Sequence, residues 1–271
     1  MMNPGQEILL EDALRRLRLP AMVREYAEHS RQAREAGESY EVFLLSLASR
    51  ELEQRQANQV QRRLTEARFP LLKTLEKTDL KKWPGLDVMQ LREYTECHYI
   101  TRRENIVILG KHGTGKTHAA TMLGVEACRR GYRVLFTTAA HLVNTLIEAR
   151  EDRQLKRQLA KLSRFELVII DEAGYIPFSV EAAQLLFQVF ADRYEKASLI
   201  VTSNLPFAQW TSIFGDPALT AALLDRLTHH CSIHEFDWES IRFTDSLRNN
   251  KLKKKSGQRP VTPPDAETGE S

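Results

Sequence analysis

Cysteine is scarce in this chain, and the three that occur are far apart. Cys97, Cys128 and Cys231 form no CxxC pair, a usage that suits a reducing compartment and argues against a disulfide framework. Long apolar runs are missing too: none approaches the roughly 18 residues a membrane span needs. The opening MMNPGQEILLEDALRR lacks the basic-then-apolar order of a secretory signal, so a cytoplasmic protein is the expectation. Neither sign of charge dominates. Lys plus Arg (39) against Asp plus Glu (36) leaves +3, and global charge alone therefore does not establish a nucleic-acid partner. No internal repeat is present. What remains is an ordinary globular balance, 42% hydrophobic and 28% charged over 271 residues, enough for one large domain or two small ones.

Glycine is nearly absent up to about residue 82, where Arg, Glu, Leu, Ala and Gln prevail. Leu10, Leu14 and Leu17 fall on one helical face, which Pro20 interrupts. A second helical pattern runs over 40–67, with Phe43, Leu44 and Leu47 on one side. Its later, mostly polar half is expected to pack only along Leu52, Val60 and Leu64, and Phe69-Pro70 ends it. From Asn105 the texture changes. NIVILG, YRVLFTT, FELVIIDE and ASLIVTSN read as short buried strands, and helical stretches lie between them, including 141–162 and 180–195. Strands buried on both faces and separated by helices predict a parallel sheet covered by helices, an α/β fold; SIHEF is a candidate fifth strand. The division expected is a small all-helical N-terminal region (1–82), an α/β domain (83–248) and a disordered basic tail (249–271).

One loop carries the clearest chemistry. Gly110-Lys111-His112-Gly113-Thr114-Gly115-Lys116-Thr117 matches GxxxxGK[ST] between a strand and a helix, the context that gives the motif its meaning. Glycines let backbone N–H groups converge on phosphate oxygens, and the helix TGKTHAATMLGVEACRRG aims its positive end at the same anion, so the phosphate-binding residues expected run from Gly110 to His118. Lys116 reaches the β and γ phosphates as a point charge, while the Thr117 hydroxyl suits Mg²⁺, an oxygen-seeking ion. ATP and Mg²⁺ are the cofactors expected. The strand Leu167-Val168-Ile169-Ile170 ends in Asp171-Glu172, at the sheet edge that also bears the loop. There Asp171 can hold the Mg²⁺ shell, and Glu172 can take a proton from an attacking water. The plainer alternative is that the pair caps the next helix. A third strand ends in Thr202-Ser203-Asn204, where Asn204 either orients the water, senses the γ phosphate, or opens the turn before Pro206.

Taken together, ILGKHGTGKTHAA, GYRVLFTTAAHLV, FELVIIDEAGYIPF, ASLIVTSNLPFAQW, FGDPALTAALLDRLTHH and ESIRF resemble the IstB family, ATPase helpers of insertion-sequence transposition. The likeness spans roughly residues 5–247 and includes the linker FPLLKTLEKTDL; DnaC-type helicase loaders are more distantly similar. The resemblance implies an AAA+ P-loop ATPase with the Asn204 strand between the phosphate-loop and Asp171 strands. It also implies ATP-dependent homo-oligomers on double-stranded DNA, working beside a separate transposase subunit. Arg226 then matches an arginine finger that completes a neighbouring subunit's ATP site, although alone it reads as an exposed helix residue. Arg242 matches a second phosphate-sensing arginine. Two departures stand out: Lys111-His112 replaces two prolines usual in the family, and SIHEF is atypical. His229, His230, Cys231 and His234 invite a metal reading, but a strand sends alternate residues to opposite faces, so ordinary strand packing is expected.

Between residues 62 and 82, Arg62, Arg63, Arg68, Lys73, Lys77, Lys81 and Lys82 outnumber three acids. On composition this is a solvated helix face and a basic linker; with the resemblance it becomes a sequence-independent, salt-sensitive DNA contact. Lys251 and Lys253 to Lys255 form a weaker second cluster. The expected function is an ATP-hydrolysing, DNA-binding oligomer that assists a transposase in target capture. The alternatives are a helicase loader, or a DNA-bending scaffold in which ATP is structural.

Overall fold

The structure, a computed structural model, describes residues 3–79, 87–175 and 177–241. Lys81, Lys82, Arg242 and the basic tail lie outside the described residues.

The sheet follows from five short apolar segments too hydrophobic to face water. β1 (Asn105–Gly110), β2 (Val134–Thr138), β3 (Leu167–Asp171), β4 (Ser198–Ser203) and β5 (Cys231–Phe236) pair in parallel in the order β2-β3-β4-β1-β5. SIHEF does supply a strand, and β4 lies between β3 and β1 as the family resemblance implies. Period-two alternation divides the core into two layers. Val107, Leu109, Val168, Ile170, Leu199 and Val201 face α7 (Ala139–Glu151), α9 (Val180–Arg193), α10 (Thr211–Phe214) and α11 (Pro217–Thr228). On the other side, Ile106, Ile108, Leu167, Ile169 and Ile200 pack with α6 (Lys116–Arg129) and with Tyr99 and Ile100 of α5 (His98–Thr101). Ile169, Ile170 and Ile200 are wholly buried, each stabilising the fold by about 1.5–3 kcal/mol through loss of apolar surface to water.

The helical stretch expected over 141–162 is two helices. α7 stops at Glu151, Arg153 takes a left-handed backbone (φ 58°), and α8 (Leu155–Leu162) starts in a new direction. Periodicity continued through the turn, so only the backbone reversal reveals it.

The N-terminal region is indeed helical: α1 (Pro4–Arg16), α2 (Pro20–Ala36) and α3 (Tyr40–Ala67). Pro20 opens α2 rather than merely ending α1, since proline at a first helical position loses no hydrogen bond. Leu19 offers no capping side chain there. Instead buried Glu51 of α3 accepts from the N–H groups of Ala21 (2.8 Å) and Met22 (3.2 Å), a cap supplied from another helix. Three expectations fail here: Leu17, Leu44 and Leu52 are largely exposed, because α2 and the α/β core meet the neighbouring faces of α1 and α3. The end of α3 is fastened to the sheet layer. Ala67 is buried in the second core layer, Arg63 Nε donates to the Gly131 carbonyl (3.2 Å), and Glu66 pairs with Arg133. That guanidinium holds the Glu66 carboxyl below its usual range. The following linker runs back along α6, with Leu75 against the core, Glu76 paired with Arg129 (2.7 Å) and Thr78 bonded to His118 (2.9 Å). α4 (Val88–Thr95) then leads into α5.

Candidate functional site

Parallel strands all end at one edge, and polar chemistry collects there because three buried strands finish in small polar or acidic residues. β1 ends at Gly110, where an added Cβ would lie 2.3 Å from the Phe236 carbonyl oxygen; at Gly113 (φ +79°) it would lie 2.1 Å from Ser240 Oγ. The loop is thus pressed beneath the segment after β5. Trp238 Nε1 donates to the Thr114 carbonyl (3.0 Å), and the Ile241 N–H donates to the Gly113 carbonyl (2.9 Å). Within the loop, Thr114 Oγ1 donates to the Lys111 carbonyl (3.0 Å). Lys116 Nζ donates to the carbonyls of Gly110 (2.7 Å) and Lys111 (2.8 Å). The ammonium therefore sits inside the curl of the loop. Gly115 begins α6 without a side-chain cap, the arrangement by which a helix N-terminus receives an anion.

Thr117 ties this loop to the acidic strand. Its Oγ1 donates to Asp171 Oδ1 (3.1 Å), and Thr202 Oγ1 donates to the same oxygen. Asp171 is buried. Glu172 is exposed and left-handed (φ 60°), its N–H donating to Thr202 Oγ1 (3.0 Å). A non-glycine residue held in that region stores strain of the kind found at functional sites. Asn204 at the end of β4 reaches across to the loop, its Nδ2 lying 3.2 Å from His112 Nε2, and the His112 ring meets Tyr175 edge-on at 6.1 Å. The ring of His118 turns towards the linker. Burial, and then the nearby Lys73 charge, lower its pKa.

The structure thus brings Gly110 to Thr117, Asp171, Glu172 and Asn204 to one place. Arg226 is elsewhere. It lies near the end of α11, which feeds the start of β5, and β5 pairs Cys231 with Asn105 at the far end of β1. Five residues of strand rise separate that end from the loop, on the order of 17 Å. There the Arg226 guanidinium lies over the Phe187 ring (4.5 Å), with Nη1 buried and lacking a hydrogen-bond partner. The basic residues 62–77 share no single face. Arg62 and Arg68 are exposed, whereas Arg63 is half-buried against Gly131 and Glu66. Lys73 lies beside His118, and Lys77 closes the 3₁₀ turn Leu75–Lys77.

Sequence reasoning passed over Thr202, whose hydroxyl joins Asp171 to the Glu172 backbone; a polar residue in an otherwise apolar strand was its only signal. It also passed over Trp238, which covers the loop, and the exposed basic residues Arg153, Lys156, Arg157, Lys161 and Arg164 on and beside α8.

A parallel sheet ordered β2-β3-β4-β1-β5, with a phosphate loop after β1 and an acidic pair after β3, defines an AAA+ P-loop protein. The chain belongs to the IstB-like ATP binding protein family, which it matches over residues 12–249. Its relatives include the ATP-binding protein of insertion sequence IS21 from Pseudomonas aeruginosa, 39% identical over 90% of this chain and 92% of that one. The ATP-binding protein of insertion sequence IS5376 from Geobacillus stearothermophilus is 38% identical over 88% of this chain and 95% of the other. Among solved structures, AMPPCP-bound DnaA from Aquifex aeolicus aligns with a TM-score of 0.54 and 22% identity, over 69% of this chain but only 56% of DnaA. That likeness is one of fold. Among the described residues no helix is long and apolar enough to cross a membrane.

Proposed function

We propose that this protein binds and hydrolyses ATP and, as a homo-oligomer on DNA, assists a transposase. The observation that carries the reading is the Thr117–Asp171 hydrogen bond, which joins the phosphate-loop helix to the acidic strand end at 3.1 Å. A hydroxyl and a carboxylate side by side are hard oxygen donors that fit Mg²⁺, so Thr117 and Asp171 would hold the ion, and its charge would offset that of the β and γ phosphates. Lys116 adds a second positive charge within the loop. Glu172, exposed at the same edge, accepts a proton from the water that attacks the γ phosphorus; the bond to the bridging oxygen breaks and ADP leaves. Asn204 orients that water. Arg226 lies too far from its own loop to act there, so its role is on an adjoining subunit.

DNA contact is supported by the exposed Arg62 and Arg68 and by the basic surface around α8, which suit a phosphate backbone rather than base edges. The match over nearly the full length of insertion-sequence proteins favours a transposase partner over a replicative helicase. The test is ATP binding and turnover with and without duplex DNA. Lys116→Ala is expected to lose high-affinity ATP binding, and wild-type turnover is expected to rise on DNA of unrelated sequences and to fall as salt increases. Unchanged ATP binding in Lys116→Ala would remove the reading.

A further inference from the structure

His229 and His230 precede β5 rather than lying in it. The alternation expected to send them to opposite faces therefore does not apply: both occupy the turn after α11, with ring centroids 4.2 Å apart. His234 does leave that side, its Nε2 lying 2.8 Å from the Tyr94 hydroxyl. Cys231 is not part of the histidine cluster; its Sγ lies 3.5 Å from the Ser232 carbonyl. The residue that joins the two histidines is Glu195, just beyond α9. It is held left-handed (φ 57°), and its carbonyl accepts from Arg103 Nη1 (2.9 Å). One donor atom from each of Glu195, His229 and His230 lies within 4.8 Å of the others, and all three side chains are exposed. Tyr194 OH lies 2.8 Å from His229 Nδ1, the nitrogen that also lies 3.9 Å from Glu195 Oε1.

The geometry points to a binding site for a zinc-like divalent transition metal on Glu195, His229 and His230, separate from the phosphate loop. Two imidazoles and a carboxylate suit such an ion better than Mg²⁺ or Ca²⁺, which prefer oxygen alone. Three protein ligands leave a fourth position for water or for a donor from a neighbouring molecule. The ion ties the turn after α9 to the end of α11, the same two helices between which Arg226 lies over Phe187.

The test is titration of the full-length protein, free of nucleotide, with Co²⁺ alone and then with Zn²⁺ as competitor. One equivalent of Co²⁺ per chain is expected, with the strong visible absorption of a tetrahedral site that Zn²⁺ abolishes. His229→Ala, His230→Ala and Glu195→Gln should each weaken binding at least about tenfold. His98→Ala, removing an exposed histidine paired with Glu96 (3.2 Å), should leave it unchanged, and far-ultraviolet circular dichroism should show every variant folded. Absence of stoichiometric binding by the wild type, or its persistence in the His229→Ala/His230→Ala double variant, would overturn the site.

Discussion

The two ends of one sheet are built from different materials. At the carboxyl ends of the strands stand short side chains: Thr117 and Thr202 bond to Asp171, and Asn204 reaches His112. At the amino ends stand planar donors, long in Arg193 and short in Asn105, that reach backbone carbonyls. Arg193, buried on α9, donates to the carbonyls of Leu162 (3.2 Å), Phe165 (3.0 Å) and Ser198 (3.0 Å). Asn105 Nδ2 donates to the Leu227 carbonyl (3.0 Å), and its Oδ1 accepts from the Leu199 N–H (2.9 Å). The difference separates labour. Small groups on a rigid edge can meet a triphosphate, whereas planar donors satisfy carbonyls that would otherwise be orphaned where strands begin. Arg193 Nε and Arg226 Nη1 are both buried at this end without a hydrogen-bond partner, and Arg226, unlike Arg193, stacks on an aromatic ring, that of Phe187.

That contrast can be broken at either end. The largest effect is expected for Arg226→Ala, a fall in ATPase rate of about 10³ or more, with activity partly restored by mixing with Glu172→Gln subunits, which still carry the arginine. No restoration in the mixture would confine Arg226 to its own subunit. Arg193→Met should leave nucleotide binding intact but cost about 3 kcal/mol of stability by abandoning three buried carbonyls, measured by denaturant unfolding; a loss of turnover without loss of stability would erase the division between the ends. Thr202→Val keeps the shape of the side chain but removes both the donor to Asp171 and the acceptor of the Glu172 N–H, so a cost of about 1–3 kcal/mol is expected, together with slower turnover. The smallest effect is that of pH. Burial lowers the pKa values of His118 and His234, so the unfolded chain takes up protons before the native one as pH falls through the ordinary histidine range. Stability should decline on acidification below about pH 6.5, and His118→Gln should flatten part of that slope. An unchanged slope would mean that His118 does not contribute.

Some of the molecule was legible without coordinates because its signals are local. The phosphate loop announces itself through glycine spacing between strand and helix, and β3 through four apolar residues followed by two acids. Other features misled for the same reason. Leu52 and Glu51 are neighbours on α3, and local pattern put the leucine inside; the need to cap α2 puts the carboxylate inside instead. Local pattern judges His229 and His230 by the alternation of the strand that follows them, although both stand in the turn before it.

The sequence by itself determined which residues could hold phosphate, which could supply acid and base, and that a parallel sheet would carry them, since residue type and short-range period suffice for each. Only the tertiary structure decided that Thr117 meets Asp171, that Asn204 faces His112, and that Arg226 lies at the opposite end of the sheet. Those facts depend on strand order and register, which arise from pairings between segments dozens of residues apart and leave no trace in any local window.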